Sequence, residues 1–342
     1  MFHSRRKCGV LIVAVMVWQF LLVDARAQDR VTHIPVGASK PITSIGEIIE
    51  FTGSELALQT RVSLQRIPSD RIERIETHYV KEHLLGREQF TNGETDKAIQ
   101  SLRLAVKSEP RTWVDREILA LIVQAELRLQ NLSGAMHDFQ TILNTDPATR
   151  HWGIAPMVWS PQVIPDALRV EMQRWLSMNS PSQHLLAASV LLLDPVQGER
   201  AEERLRELTR NTEPIFSTYA KAQLWRLELA SGRVHEESLQ RWQEQMERLP
   251  KELRPGPHYL YARGFEVMGD FRAAAGEALW IPFVYANNEI LAARALFEAG
   301  ENLSRTGLNT EGENLYRELI VRYPWSRETK LARSKFPETN SP

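Results

Sequence analysis

Arginine recurs along this chain at matching places in a repeated pattern, as Arg87, Arg128, Arg263 and Arg305. A guanidinium is a planar fork of donors that binds carboxylates two hydrogen bonds at a time. His83 precedes Arg87 by four residues and Tyr259 precedes Arg263 by four, so each pair shares one face of a helix. A row of such faces would suit an acidic ligand. Tryptophan offers a second chemistry. Of nine Trp, Trp152 and Trp159 lie in a stretch broken by Pro156 and Pro161, where an indole could stack on a sugar or a partner side chain. Trp175, Trp225 and Trp242 sit among leucines at helical spacing and read as core. Catalytic patterns are missing. His235-Glu236-Glu237 lacks the second His of a zinc-protease helix, His78 and His83 are wrongly spaced for a shared metal, and there is no nucleophile elbow or phosphate loop. Carboxylates are plentiful, so a pair acting on a glycan stays open as an alternative.

The elements that carry these residues follow from a period. Small residues fall at Ala98, Ala135, Ala201, Ser238, Ala274 and Gly312, spaced 37, 66, 37, 36 and 38 apart. Gly93, Gly232, Gly269 and Gly307 stand where helices end, and Pro110, Pro147, Pro250 and Pro324 close the pairs. A period of this length marks stacked helical hairpins. The spacing of 66 is one repeat plus an insertion, which runs from 150 to 181 and includes a helix predicted from Asp166 to Met178. Ser180-Pro181-Ser182-Gln183 then restarts the array as a capping box with Pro at the first helical position.

Counted from Tyr79, Gly86, Gly93, Ala98, Ala105 and Pro110 occupy the small, turn and closing positions of the tetratricopeptide repeat (TPR), which the chain resembles. The last repeat keeps Gly300, Gly307, Gly312, Tyr316 and Pro324, and the second has Gln130 in place of Gly. The resemblance implies a mainly α, α-α superhelix with repeats near 79–112, 116–149, 182–213, 217–250, 255–288 and 293–326. It also implies a concave groove lined by the first helix of each hairpin, and a protein or peptide partner in that groove. On that pattern His83, Arg87, Arg128, Tyr259, Arg263 and Arg305 face the partner, which the arginines make acidic. Trp152 and Trp159 join them as partner-binding candidates because the insertion breaks the rhythm. The family's carboxylate clamp is not carried over, since its Lys and Asn positions are His83 and Arg87 here.

Ahead of the repeats, 44–77 alternates apolar and polar residues in four stretches and reads as a small β-meander that resembles SH3-like barrels. Residues 28–43, with Pro35, Gly37 and Pro41, read as a linker, 78–336 as the repeat domain and 337–342 as a disordered tail. Arg5-Arg6-Lys7, an apolar run from Gly9 to Val23 and Ala25-Arg26-Ala27 read as a signal peptide over 1–27. With that segment removed, 38 Lys and Arg face 42 Asp and Glu, a net charge of −4. That balance points away from nucleic acid, and no integral membrane span would remain. Cys8 is the only cysteine, so disulfides and thiolate metal sites are excluded after cleavage. The expectation is an exported, periplasmic or envelope, non-enzymatic scaffold with no cofactor. Alternatives are a glycan-acting envelope enzyme and a structural subunit of an envelope complex.

Overall fold

The structure is a computed structural model that describes residues 28–285 and 288–336. The signal-peptide reading and the tail reading lie outside these residues. The chain divides after Tyr79 into two compact units.

The first unit is one antiparallel sheet of β1 (Asp29–His33), β2 (Ile42–Phe51), β3 (Glu55–Gln59), β4 (Leu64–Pro68) and β5 (Ile72–Glu76), in the order β4-β3-β2-β1-β5. A 3-10 turn, Ser69–Arg71, joins β4 to β5. Alternation puts Val31, Ile48, Leu56, Leu58 and Ile67 inside. The linker reading of 28–43 is corrected here, because β1 lies between β2 and β5. Its partner β5 is some forty residues away, and five residues beginning with a buried Asp carry little alternation to betray them. Asp29 is buried usefully: its carboxylate accepts from the Ile48 amide at 2.7 Å and the Thr77 hydroxyl at 2.5 Å.

The second unit is a stack of helical hairpins. Its helices are α1 (Lys81–Thr91), α2 (Thr95–Ser108), α3 (Thr112–Arg128), α4 (Leu132–Thr145), α5 (Asp166–Trp175), α6 (Pro181–Leu191), α7 (Gly198–Leu208) and α8 (Pro214–Ala230). There follow α9 (Glu236–Glu247), α10 (Pro255–Val267), α11 (Phe271–Ala278), α12 (Trp280–Val284), α13 (Glu289–Arg305), α14 (Asn309–Arg322) and α15 (Arg327–Lys335). The hairpins are α1/α2, α3/α4, α6/α7, α8/α9, α10/α11 and α13/α14; α5 belongs to the insertion and α15 caps the end.

Five first helices end alike. Gly93, Gly232, Gly269 and Gly307 take positive φ, and Gln130 takes φ 61° in the same place. One residue later the amide of Glu94, Asn131, Arg233, Asp270 or Leu308 reaches back five residues to a helix carbonyl, at 2.8–3.1 Å. This is the Schellman closure, which satisfies carbonyls the helix leaves orphaned. The small residues five positions past four of these turns, and Ser238 six past Gly232, are buried, so the second helix can lie close against the first. A Cβ on Gly86 would stand 2.6 Å from Leu102 Cγ, and one on Gly300 would stand 2.5 Å from Tyr316 Cε1. The closeness of each hairpin is therefore written in its small residues.

Candidate functional site: the face of the first helices

Residues 150–165 form the first part of the insertion, a 3-10 turn (Arg150–Ile154) followed by irregular chain up to α5. Prolines at 156, 161 and 165 deny this stretch the amides that a helix or ladder needs. Its side chains go inward, and 154–159 are all buried. Trp152 packs edge-on against Phe139 of α4 and Phe216 of α8, at 5.3 and 5.5 Å between ring centres. Its indole N–H donates to Pro147 O at 3.0 Å. Trp159 packs against Tyr219 of α8 at 5.7 Å and lies flat over Gly256 of α10, where a Cβ would collide with its six-membered ring.

Val158 joins residues 150–159, a strap across the first helices, to two of them through its backbone. Its amide donates to Ser189 Oγ of α6 at 3.3 Å. Its carbonyl accepts from Gln223 Nε2 at 3.2 Å and Arg226 Nη1 at 2.9 Å, both on α8. Tyr219 donates its hydroxyl to Trp152 O at 3.3 Å, and Asn288, the N-cap of α13, donates to Gly153 O at 3.4 Å. Ile154 meets Gln124 and Leu127 of α3 and Asn288, Glu289 and Ile290 around a cavity of about 10 Å³, room for one water at most. Helices α3, α6, α8, α10 and the start of α13 are all first helices. Part of the face that the repeat pattern offers as a groove is thus covered by the chain itself.

Arg226 is the unusual member of this face. It is 4% exposed, and its Nη1 donates to Val158 O, Ser189 O and Gln223 Oε1 at 2.6–2.9 Å. No carboxylate pairs with it among the described residues, and burial pulls its pKa down to about 10. A buried cation must be met by oriented oxygens, and here neutral carbonyls do so.

The arginines read from the sequence meet carboxylates of their own chain. Arg128 donates to Glu289 at 2.6 and 3.0 Å and to Phe90 O at 2.7 Å. Its guanidinium lies over the rings of Phe90, at 3.5 Å, and Trp325, at 4.9 Å. One side chain therefore ties the first two hairpins to the last. Arg263 pairs with Glu266 and, at 3.8 Å, with Glu298. Arg305 pairs with Glu266 at 3.1 Å and remains half exposed. Arg294 and Glu298 add a pair at 3.0 Å. Arg87 is exposed on α1.

The remaining candidates are inside. Tyr259 is 2% exposed and donates to Glu298 at 2.9 Å; burial first, then that carboxylate, pushes its pKa up. His83 is likewise 2% exposed, and burial and the Arg87 charge hold its pKa down at about 4 against the pull of Glu109. Trp152 and Trp159, at 3% and 7%, present no ring to a partner. That expectation is corrected: the broken rhythm marks an internal packing site, because the indoles find a ready-made apolar face on their own chain. Trp225 and Trp242, read as core, stack at 4.9 Å in the interior.

Sequence reading missed Ser189, Gln223, Arg226 and Gly256, the residues that receive the strap. The one available signal was Pro255-Gly256-Pro257, a glycine set between two prolines at a helix start. Among the described residues no group of three or more His, Cys, Asp or Glu could hold a metal ion.

No family model and no curated protein sequence matches the chain. Two solved structures are similar to it at low scores. PilW, a widely conserved type IV pilus biogenesis factor, is 14% identical, with TM-score 0.34 over 74% of this chain and 96% of that one. A tetratricopeptide repeat protein from Parabacteroides merdae ATCC 43184 is 14% identical, with TM-score 0.33 over 74% of this chain and 95% of that one. The hairpins themselves, with their shared turn and a buried small residue five or six positions after it, make the second unit a TPR-like helical solenoid.

Proposed function

We propose that this chain is an exported, non-catalytic scaffold that holds a protein partner in the bacterial envelope. The observation that carries the reading is the covering of part of the first-helix face by residues 150–159. A glycan-cleaving site needs a cleft with two carboxylates roughly 5–9.5 Å apart. A cavity of about 10 Å³ on this face is lined by Glu289, which Arg128 engages, and Glu266 and Glu298 on neighbouring first helices are likewise paired with arginines. A braced hairpin stack is instead a stiff platform, which suits an adaptor. Export rests on the basic, apolar and Ala-x-Ala segments of residues 1–27. An acidic partner segment would have the exposed Arg87 and the half-exposed Arg305, itself paired with Glu266, to address.

The test is capture from envelope extract by the chain starting at Gln28, with Arg87→Glu/Arg305→Glu beside it. A partner captured by the wild type and lost by the double variant is expected. Capture that survives charge reversal removes the acidic partner. Absence of any partner, or hydrolysis of envelope glycan by the pure chain, removes the scaffold.

A further inference from the structure

We propose that the face made by α6, α8 and α10 is a receptor for an extended apolar peptide bearing one indole, that the chain occupies it with its own residues 155–159, and that a partner segment of the same chemistry exchanges with them. The proposal rests on the scaffold reading for the partner's existence and on geometry for the site.

Three features separate this contact from ordinary core. The first is how the strap is read. Two side chains of α8 converge on one main-chain carbonyl, Val158 O, and Ser189 takes the amide of the same residue. Hydrogen bonds to the main chain accept any extended peptide, and a pocket for one side chain then selects among them. That pocket is the floor of Gly256, where Trp159 lies against α10. The second feature is Arg226. A core built only for stability places an apolar side chain at such a position. A buried guanidinium that no carboxylate meets instead takes one of its three acceptors, Val158 O, from the segment lying on the face, while Ser189 O and Gln223 Oε1 belong to the face itself. The third is the way the strap is held. Among the described residues it forms no strand ladder, and Pro156 and Pro161 keep it extended. Residues 161–163 beyond it are exposed, with Val163 at 94%, so the C-terminal side of the strap has slack before α5 begins.

Tethering sets the regulation. A segment joined by a short flexible linker competes at an effective concentration on the order of millimolar. Free peptide therefore loses to the chain's own copy unless its affinity is higher or the strap is removed. The resting state is closed, and opening is the event that a partner must drive.

The experiment uses the chain from Gln28 to Pro342 and a labelled synthetic peptide of residues 153–162. In one variant, residues 155–161 are replaced by a Gly/Ser linker of the same length. The expected result is saturable anisotropy with the linker variant, at least tenfold weaker binding to the wild type, and at least tenfold weaker binding of a peptide carrying Trp159→Ala. Adding Arg226→Met to the linker variant should weaken binding by at least tenfold again. A folded linker variant that ignores the peptide, or a wild type that binds it equally well, overturns the proposal. If the linker variant does not fold, amide exchange in the wild type decides. The Val158 amide should exchange at least tenfold faster than the amides of Ala220 and Gln223 in α8, and equal rates overturn the exchange. Failure of the peptide leaves partner capture by the wild type untouched, so the two readings fail separately.

Discussion

Single residues on this face act through what they displace. Gly256 is the clearest case, because the Trp159 ring occupies the volume of its missing Cβ. Gly256→Ala is expected to push the indole out and cost about 1–3 kcal/mol, the range for overpacking a filled core. Urea unfolding followed by circular dichroism reads it, and an unchanged midpoint would refute the seat. Trp159→Ala removes the occupant and not the floor. It should cost about 3–5 kcal/mol, as for other buried aromatic truncations. Combined with Gly256→Ala the two losses should fall short of their sum, because both act on one contact. Arg87 is exposed on α1.

Among elements, the hairpin turn is the repeated unit, and its chemistry is uneven. Gln130 holds the left-handed conformation that Gly supplies in four other repeats. A side chain there costs roughly 1–2 kcal/mol against glycine's free access. Gln130→Gly is thus expected to raise stability by about 1 kcal/mol after the entropy that glycine returns to the unfolded chain. Calorimetry should show a higher midpoint; a lower one would mean that the Gln side chain holds something worth more than the strain. Ser180 caps α6 by accepting from the Gln183 amide at 3.5 Å, where the array restarts after the insertion. Ser180→Ala is expected to cost about 1 kcal/mol. Both turns were legible in the sequence, since caps and Gly positions depend on neighbours only a few residues away. Strand β1 was not, because its pairing with β5 is set by chain far ahead of it.

At the scale of the whole molecule, closure distinguishes this array from an open solenoid. Repeats that touch only their neighbours unfold from the ends. Here Arg128 joins α3 to Glu289 at the start of α13 and to Trp325 beyond α14, across a sequence separation of 161 residues. Arg128→Gln is expected to uncouple the ends, so that denaturation broadens or splits while far-ultraviolet signal at zero denaturant is kept. A single sharp transition in that variant would show the ends to be independent already.

Acid should act on the same unit through two histidines. Burial holds His83 near a pKa of about 4 and His151 near about 3, against roughly 6.5 in the unfolded chain. Between those values the unfolded state binds more protons, so this part of the stability is present above pH 6.5 and is lost as pH falls toward 4. Asp115 opposes them. Burial, then Glu109, raises its pKa to about 6, so its own contribution is present below about pH 4 and is lost as pH rises through 6. His184, whose pKa burial also lowers, sides with these two histidines against Asp115, which predicts a lower thermal midpoint at pH 5 than at pH 7. His151→Gln should flatten that slope, and an unchanged slope would remove His151 from the account.

The sequence alone determined what short range controls. It set the hairpins, their turns, the buried small residues and the place where the rhythm breaks, because helix closure and close packing depend on residues within one repeat. Only the tertiary structure decided what the chemistry-bearing residues do. Arg128, Arg263 and Arg305 look alike as arginines on a row, and their fate depends on glutamates brought beside them by the fold. Trp152 and Trp159 looked like a displayed pair because nothing near them in sequence could cover them. The cover comes from α4, α8 and α10, and a face of first helices that can receive a peptide exists only once those helices stack.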